Sequence, residues 1–199
     1  MELGAPGLET SLIRLNPLDE SHRDALRSSG AIEYMWTSMP LIATGTSFEA
    51  YFDHTLRMAQ LGTGQGMAAE RKSDGKLVGL AAFLLPNRLH RRTRIGYTWI
   101  GEPYRGSGLV DHIQFLMLRR SLGWRARRVE WMLSTRNARA IASVEKLGAT
   151  REGMLRQHSR FADGSWADLV VLSLIGEEIA AAVSVLSDRI NEPAPVPGA

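Results

Sequence analysis

Apolar side chains recur along this chain in two rhythms, alternating stretches that fit strands and helically spaced stretches that fit helices. Leu12 to Leu15 reads as a short first strand, and Pro17-Leu18-Asp19-Glu20 leads into a helix through about Ser28. Ser47 is placed to cap a helix carrying Ala50, Tyr51, His54, Leu56 and Met58, which ends near Leu61. Gly30 to Thr46 shows no period, and its Tyr34, Trp36, Met39 and Pro40 would line a pocket or pack on the core. Met67 to Arg71, Leu77 to Leu85 and Arg94 to Ile100 are extended, with a hairpin signal at Ser73-Asp74-Gly75. Between Arg105 and Leu122 apolar residues fall on nearly every face, which predicts a largely buried helix. Val129, Trp131 and Leu133 alternate as a strand; Ala140, Ile141, Val144 and Leu147 mark a helix from Asn137 that Gly148 stops. Arg151 to Phe161 and Trp166 to Ile175 form two long strands around Asp163-Gly164, followed by a helix from Glu177 to about Leu186. Gly62-Thr63-Gly64-Gln65-Gly66 follows a helix and precedes a strand, the reverse of a dinucleotide-binding turn, and reads as a flexible loop. The order of elements makes a mixed α/β sheet in one domain over residues 1–190, with a Pro-rich, disordered tail at 191–199.

Composition narrows the classes. The 199 residues suit one domain, and 44% apolar with 23% charged is ordinary for a globular protein. No apolar run approaches the ~20 residues of a membrane span. Met1-Glu2-Leu3-Gly4-Ala5-Pro6 lacks a signal peptide's basic start, so the expected location is the cytoplasm. The absence of cysteine removes disulfides, thiolate metal ligands and a cysteine nucleophile, and no metal is expected. A net charge of +3 is too small to argue for a nucleic-acid binder. It is nevertheless concentrated, in Arg88, His90, Arg91, Arg92 and Arg94 and again in Arg119, Arg120, Arg125, Arg127 and Arg128. These are solvated faces, or some of them meet an anionic cofactor or acidic partner.

The candidate chemistry lies where a strand hands over to the buried helix. Arg94–Ile100 runs through Gly101-Glu102-Pro103-Tyr104 into Arg105-Gly106-Ser107-Gly108, and the helix follows at once. A glycine-rich turn there suits an anion. First-turn N–H groups lack a carbonyl partner, the helix dipole adds about half a positive charge, and glycine lets a pyrophosphate reach the backbone. Alone, Gly-x-Gly fits an ordinary strand–helix turn as well.

Three ordered blocks are more specific. They are Ile95-Gly96-Tyr97-Thr98-Trp99-Ile100 with Tyr104-Arg105-Gly106-Ser107-Gly108-Leu109; Asn137-Ala138-Arg139-Ala140 with Val144-Glu145-Lys146-Leu147-Gly148-Ala149; and Arg151-Glu152-Gly153-Met154-Leu155-Arg156 ahead of Asp163-Gly164 and Asp168. Together they resemble the GNAT N-acetyltransferases, in particular the ribosomal-protein (RimJ/RimL-like) group, over about Leu77 to Ile179. The resemblance implies the GNAT fold, a mixed, mostly antiparallel sheet of about six to seven strands flanked by helices. It implies acetyl transfer from acetyl-CoA to a primary amine, by direct attack in a ternary complex. The acceptor would be a protein N-terminus or a small molecule. By the same resemblance the amides of Arg105, Gly106, Ser107, Gly108 and Leu109 hold the CoA pyrophosphate. The strand at Trp99 and Ile100 splays from its neighbour to pair with pantetheine, and a backbone N–H there faces the oxyanion. Asn137 contacts the cofactor arm, caps its helix, or does both.

The chain departs from the family pattern in three places. Pro103 stands where the family has Arg or Gln, Ala140 where many relatives have serine, and the Asn137–Leu147 helix has no tyrosine to act as general acid. Ser143, one turn on, is the substitute candidate near the thiol. Glu102 is the first candidate for general base, with a merely solvated carboxylate as the other reading; His90 and His112 rank below it. An α-amine, titrating near ~8, needs less help from a base than a lysine near ~10.4, so the absence of an obvious base favours a low-pKa amine. Trp36, Trp99 and Trp166 would wall an acceptor pocket or fill the core. The rival class is a non-catalytic acetyl-CoA-binding protein on the same fold. A homodimer is compatible with either.

Overall fold

The computed structural model describes residues 2–5, 7–29 and 39–193. Its strands are β1 (Leu8–Glu9), β2 (Ile13–Pro17), β3 (Gly64–Arg71), β4 (Leu77–Asn87), β5 (Arg92–Ile100), β6 (Arg128–Ser134), β7 (Thr150–Arg160) and β8 (Trp166–Ile175). The α-helices are α1 (Arg23–Ser28), α2 (Phe48–Leu61), α3 (Leu109–Gly123), α4 (Ala138–Glu145) and α5 (Glu177–Ile190), with 3-10 turns at Glu20–His22 and Glu102–Tyr104. The strands form one sheet in the order β1-β2-β3-β4-β5-β6-β8-β7. All neighbours are antiparallel except β5 and β6.

The sheet has eight strands, where six to seven were expected. The extra one, β1, is two residues long and has no periodicity to read; pairing of Leu8 with Leu15 and Glu9 with Arg14 creates it. A second correction concerns Gly64 to Gly66, expected to be loop and found inside β3. A Cβ on Gly66 would lie 2.6 Å from Thr55 Cγ2, and one on Gly64 2.6 Å from the Phe83 carbonyl oxygen. These glycines let α2 lie close on the sheet, a packing role with no local sequence signal.

Helices α3 and α5 cover one face of the sheet, burying Val78, Phe83, Ile95, Ile100, Leu116 and Val183 among others. Because α3 is enclosed by sheet and helix, even its Gln114, Arg120 and Ser121 are buried. On the other face Leu26 of α1 and Phe48, Tyr51 and Phe52 of α2 pack against Leu80 and Trp99. Ser47 Oγ accepts from the Ala50 N–H at 3.2 Å to start α2, and Gly62, at φ +67°, ends it. Beyond α5, Glu192 is tied in: the Ser11 N–H donates to its carboxylate and its own N–H to the Ser187 carbonyl at 3.1 Å. Residues 194–199 of the expected tail, and Tyr34 and Trp36, lie outside the described residues. No helix among the described residues is long and apolar enough to cross a membrane.

One irregularity sets up the site. Leu80 is opposite Trp99 but Ala82 is opposite Gly96, so β5 carries an extra residue between them, where Tyr97 takes a left-handed φ of +50°. The bulge shifts the alternation of faces. Ile95 and Ile100 both reach the α3 side, while Tyr97 and Trp99 turn to the α2 side.

Candidate active site in the fork between two parallel strands

β5 and β6 pair over only three positions, Arg92–Arg128, Thr93–Val129 and Arg94–Glu130. Beyond these they part, and among the described residues β6 from Trp131 to Ser134 pairs with β8 alone. From Ile95 onward no pairing joins β5 to β6 among the described residues. A parallel pair opened in this way presents peptide groups along one side of a cleft, where an extended amide chain can complete the hydrogen bonding.

An ion-pair network centred on the buried Glu130 braces the stem. Glu130, 8% exposed, accepts from Arg94 Nη2 at 2.8 Å and Arg128 Nε at 2.9 Å. The other end of the Arg128 guanidinium donates twice to Glu152 at 2.6 Å, and Ser173 Oγ donates to Glu152 at 2.7 Å. Burial works to raise the Glu130 pKa, but hydrogen bonds from Arg128 and Arg94 outweigh it and hold the carboxyl below its ordinary value. Hydrogen bonds from Arg128 and Ser173 lower that of Glu152 to about 2. Arg94 and Arg128, counted in the sequence among exposed or anion-seeking clusters, are therefore committed inside the fold. Arg94 finds Glu130 36 residues away and Arg128 finds Glu152 24 residues away, beyond any local pattern; only the Arg128–Glu130 pair is near in sequence.

At the mouth of the fork the chain turns into α3. The Gly101 N–H donates to the Val78 carbonyl at 2.8 Å, and a Cβ on Gly101 would collide with the Ser29 carbonyl oxygen, so only glycine fits. Tyr104 packs against the core with the Arg71 guanidinium 4.9 Å from its ring. Gly106 and Gly108 then take φ +77° and +80°, which delays α3 to Leu109. Of the five amides expected to face a pyrophosphate, those of Arg105 and Ser107 donate within the turn, to Glu102 at 3.2 Å and Tyr104 at 3.4 Å. Those of Gly106, Gly108 and Leu109 meet no backbone carbonyl among the described residues. A Cβ on Gly106 or Gly108 would find nothing within 4 Å. Open space, free N–H groups and a helix N-terminus fit a diphosphate.

The remaining expected residues lie on several elements. Asn137 Oδ1 accepts from the Ala140 N–H at 3.1 Å and so caps α4, leaving its exposed amide nitrogen for another contact. Ala140 and Ser143 are both half-buried beside the buried Ile141 and Val144. Glu102 is exposed in its 3-10 turn. His90 sits in the β4–β5 turn at the far end of β5, away from the mouth, and His112 is buried with Nδ1 2.9 Å from Thr10 Oγ1. Trp99 is buried under α2, whereas Trp166 is exposed with Arg160 5.4 Å from its ring, so the two share no wall. The sequence offered no sign of a further group at the bulge, where the Tyr97 ring meets the rings of Tyr51 at 5.7 Å and His54 at 5.9 Å, edge to face. Burial, then the charge of Arg57, lowers the pKa of the half-buried His54. The aromatic space beneath α2 holds a cavity of only about 10 Å³, too small for a second ligand pocket.

The overall fold is shared with known structures. The chain is similar to a candidate acetyltransferase from T. thermophilus (26% identity, TM-score 0.81, covering 96% of this chain and 100% of that one). A second candidate acetyltransferase is 28% identical with a TM-score of 0.78, covering 95% and 96%. Mycobacterium smegmatis RimJ, solved with CoA-disulfide, is 17% identical with a TM-score of 0.75 over 90% of each chain, which is likeness of fold alone. No protein of curated function matches the chain in sequence. The model of the acetyltransferase (GNAT) family matches residues 31–149, and with the fork and glycine turn in place the chain belongs to that family of acetyl-CoA-dependent acyltransferases.

Proposed function

We propose that the protein transfers an acetyl group from acetyl-CoA to a primary amine, by direct attack within a ternary complex in the β5–β6 fork. The parting of these strands after three paired positions, with a glycine turn and helix N-terminus at its mouth, carries the reading. The amides of Gly106, Gly108 and Leu109 hold the pyrophosphate, with Arg105 and Ser107 shaping the turn. The β6-facing edge of β5 at Trp99 and Ile100, past the last position paired with β6, takes the pantetheine arm and supplies an N–H to the oxyanion. Asn137 caps α4 through Oδ1 and meets the cofactor through Nδ2.

The chain contributes position more than acid–base chemistry, which is sufficient where the amine is partly neutral at working pH. Glu102 serves as base through solvent, and Ser143 stands in for the absent serine at Ala140 as proton donor to the thiolate. The acceptor is accordingly an amine of low pKa, an α-amine of a protein N-terminus in the RimJ/RimL manner or a small amine of similar basicity, encountered in the cytoplasm.

Calorimetric titration of CoA and acetyl-CoA, followed by a thiol-release screen of amines, tests this. Micromolar binding with turnover on α-amines and little on lysine side chains is expected. Binding without turnover on any amine would favour a CoA-sensing protein on the same fold, and no binding would sink both readings.

A further inference from the structure

A pocket of about 270 Å³ adjoins the glycine turn, lined by Ser11, Leu12, Arg71, Lys72, Ser73 and Leu109. Two turns that meet beside the start of α3 make it. Because β2 pairs with β3 and β3 with β4, the β1–β2 turn lies next to the β3–β4 turn. The Lys72 N–H donates to the Leu12 carbonyl at 2.8 Å, and Lys72 Nζ to the Thr10 carbonyl at 3.1 Å. The first turns of α3 join them through His112, whose Nδ1 lies 2.9 Å from Thr10 Oγ1. Leu109 therefore belongs to both places: it lines the pocket, and its amide is one of the three that meet no backbone carbonyl in the glycine turn. Arg71 makes a second link, its guanidinium lying 4.9 Å from the ring of Tyr104 within that turn.

The lining carries cations and hydroxyls but no carboxylate. Asp74 accepts from Arg71 Nε and Nη2 at 3.0 and 2.7 Å, and Glu9 lies 3.5 Å from Lys72 Nζ, both from outside the lining. Glu192 reaches only the backbone N–H of Ser11. Arg71 Nη1 and the hydroxyls of Ser11 and Ser73 are left with no hydrogen-bond partner among the described residues, and the Lys72 ammonium has three N–H groups to share. The Arg71 and Lys72 side chains are 33% and 32% exposed, so an anion between them is screened less than on open surface.

Resting on the proposed seat of the pyrophosphate at Gly106, Gly108 and Leu109, we propose that this pocket holds the 3′-phosphate of CoA. Lys72 and Arg71 then read the nucleotide end of the donor. The covalent tether selects the occupant. In CoA one ribose joins the 3′-phosphate to the pyrophosphate, so a pyrophosphate on the Leu109 amide delivers a second phosphate beside the pocket that Leu109 lines. An acidic peptide or a lipid headgroup has no such attachment to the turn. A phosphate monoester carries nearly two negative charges at neutral pH, and ammonium, guanidinium and hydroxyl donors around one pocket match it. Pantetheine thioesters on a carrier protein lack this group, so the donor is a thioester of free CoA.

The test is calorimetric titration of the full chain with CoA and with dephospho-CoA, which differ only in this phosphate. Wild type should bind CoA tighter by about tenfold or more. Lys72→Met keeps the aliphatic stem and removes the ammonium. It should cut that preference by about threefold or more by weakening CoA, with dephospho-CoA affinity unchanged, a pattern that general loss of structure does not give. Gly106→Trp should weaken both ligands alike. The nucleotide half of CoA, 3′-phospho-ADP, should displace CoA better than ADP does, and inorganic phosphate at the same concentration should not displace it. Equal affinity of wild type for CoA and dephospho-CoA would overturn the subsite and leave the pyrophosphate seat standing. So would an undiminished preference in Lys72→Met, or displacement by inorganic phosphate as effective as by 3′-phospho-ADP. If neither CoA nor dephospho-CoA binds, the reading of the glycine turn falls and the subsite with it.

Discussion

Replacing Glu130 by glutamine removes the charge at the centre of the brace beneath the fork. Removing one member of a buried ion pair costs about 3–5 kcal/mol where the other is left dry. Here Arg94 and Arg128 are 23% and 25% exposed, and Arg128 keeps Glu152. Partial rehydration brings the expected loss to about 2–3 kcal/mol. At about 2–4 °C per kcal/mol for a chain of this size, the thermal midpoint should fall by roughly 5–10 °C. Urea titration at pH 7 measures the loss as a shift of midpoint at constant slope. The pH dependence supplies an independent check. The folded pKa of Glu130 is depressed below 4.5, so its contribution is complete above that value and is lost as pH falls through the folded pKa. The gap between wild type and variant should therefore narrow in acid. A loss under about 0.5 kcal/mol at pH 7 would refute the account, because surface ion pairs are worth that little. So would a gap that stays constant with falling pH.

Three further outcomes follow from the same geometry. Gly106→Trp places a side chain in the open space before α3 at a left-handed position, and calorimetry should show CoA binding weakened at least a hundredfold in a protein whose circular dichroism is unchanged. Asn137→Ser keeps the cap of α4 and removes the amide nitrogen, so stability should hold while CoA affinity drops; Asn137→Ala should lose about 1 kcal/mol as well, measured in urea. Gly66→Val sets a branched side chain where a Cβ already lies 2.6 Å from Thr55, and should lower stability by about 1–3 kcal/mol with CoA affinity little changed in the folded fraction.

What the sequence disclosed was whatever is encoded within a few residues. Ser47 and Asn137 announce helix starts because a cap bonds its own first turn. The turn from Gly101 to Gly108 is legible for a similar reason: strand, glycines and helix are contiguous, and the candidate anion site is built from their backbone. The features that escaped depend on partners far along the chain. Arg94 looks like any exposed cation until Glu130 is beside it, and Gly66 looks like a loop residue until Thr55 is on top of it. Glycine is ambiguous in a sequence because it serves equally where a chain must bend and where another element must come close.

The bulge at Tyr97 shows how such a non-local feature bears on the site. In an unbroken β5, residues 95, 97 and 99 would share one face, and Trp99 would project to the α3 side. The extra residue puts Tyr97 and Trp99 beneath α2 and returns Ile100 to the α3 side just before the glycine turn. The backbone is thereby reoriented at the stretch where β5 has already left β6, and β5 runs on from there into the turn that starts α3. The two halves of the candidate cofactor site, peptide groups along a strand and amides at a helix start, are then continuous along a single segment from Tyr97 to Leu109. The stem network explains why this opening does not spread. Among the described residues β5 pairs with β6 at Arg92 to Arg94 alone, and Glu130 grips arginines on both strands at the last of these positions. A fork that must stay open to receive a ligand needs a stem that stays closed, and the buried charges lie at that junction.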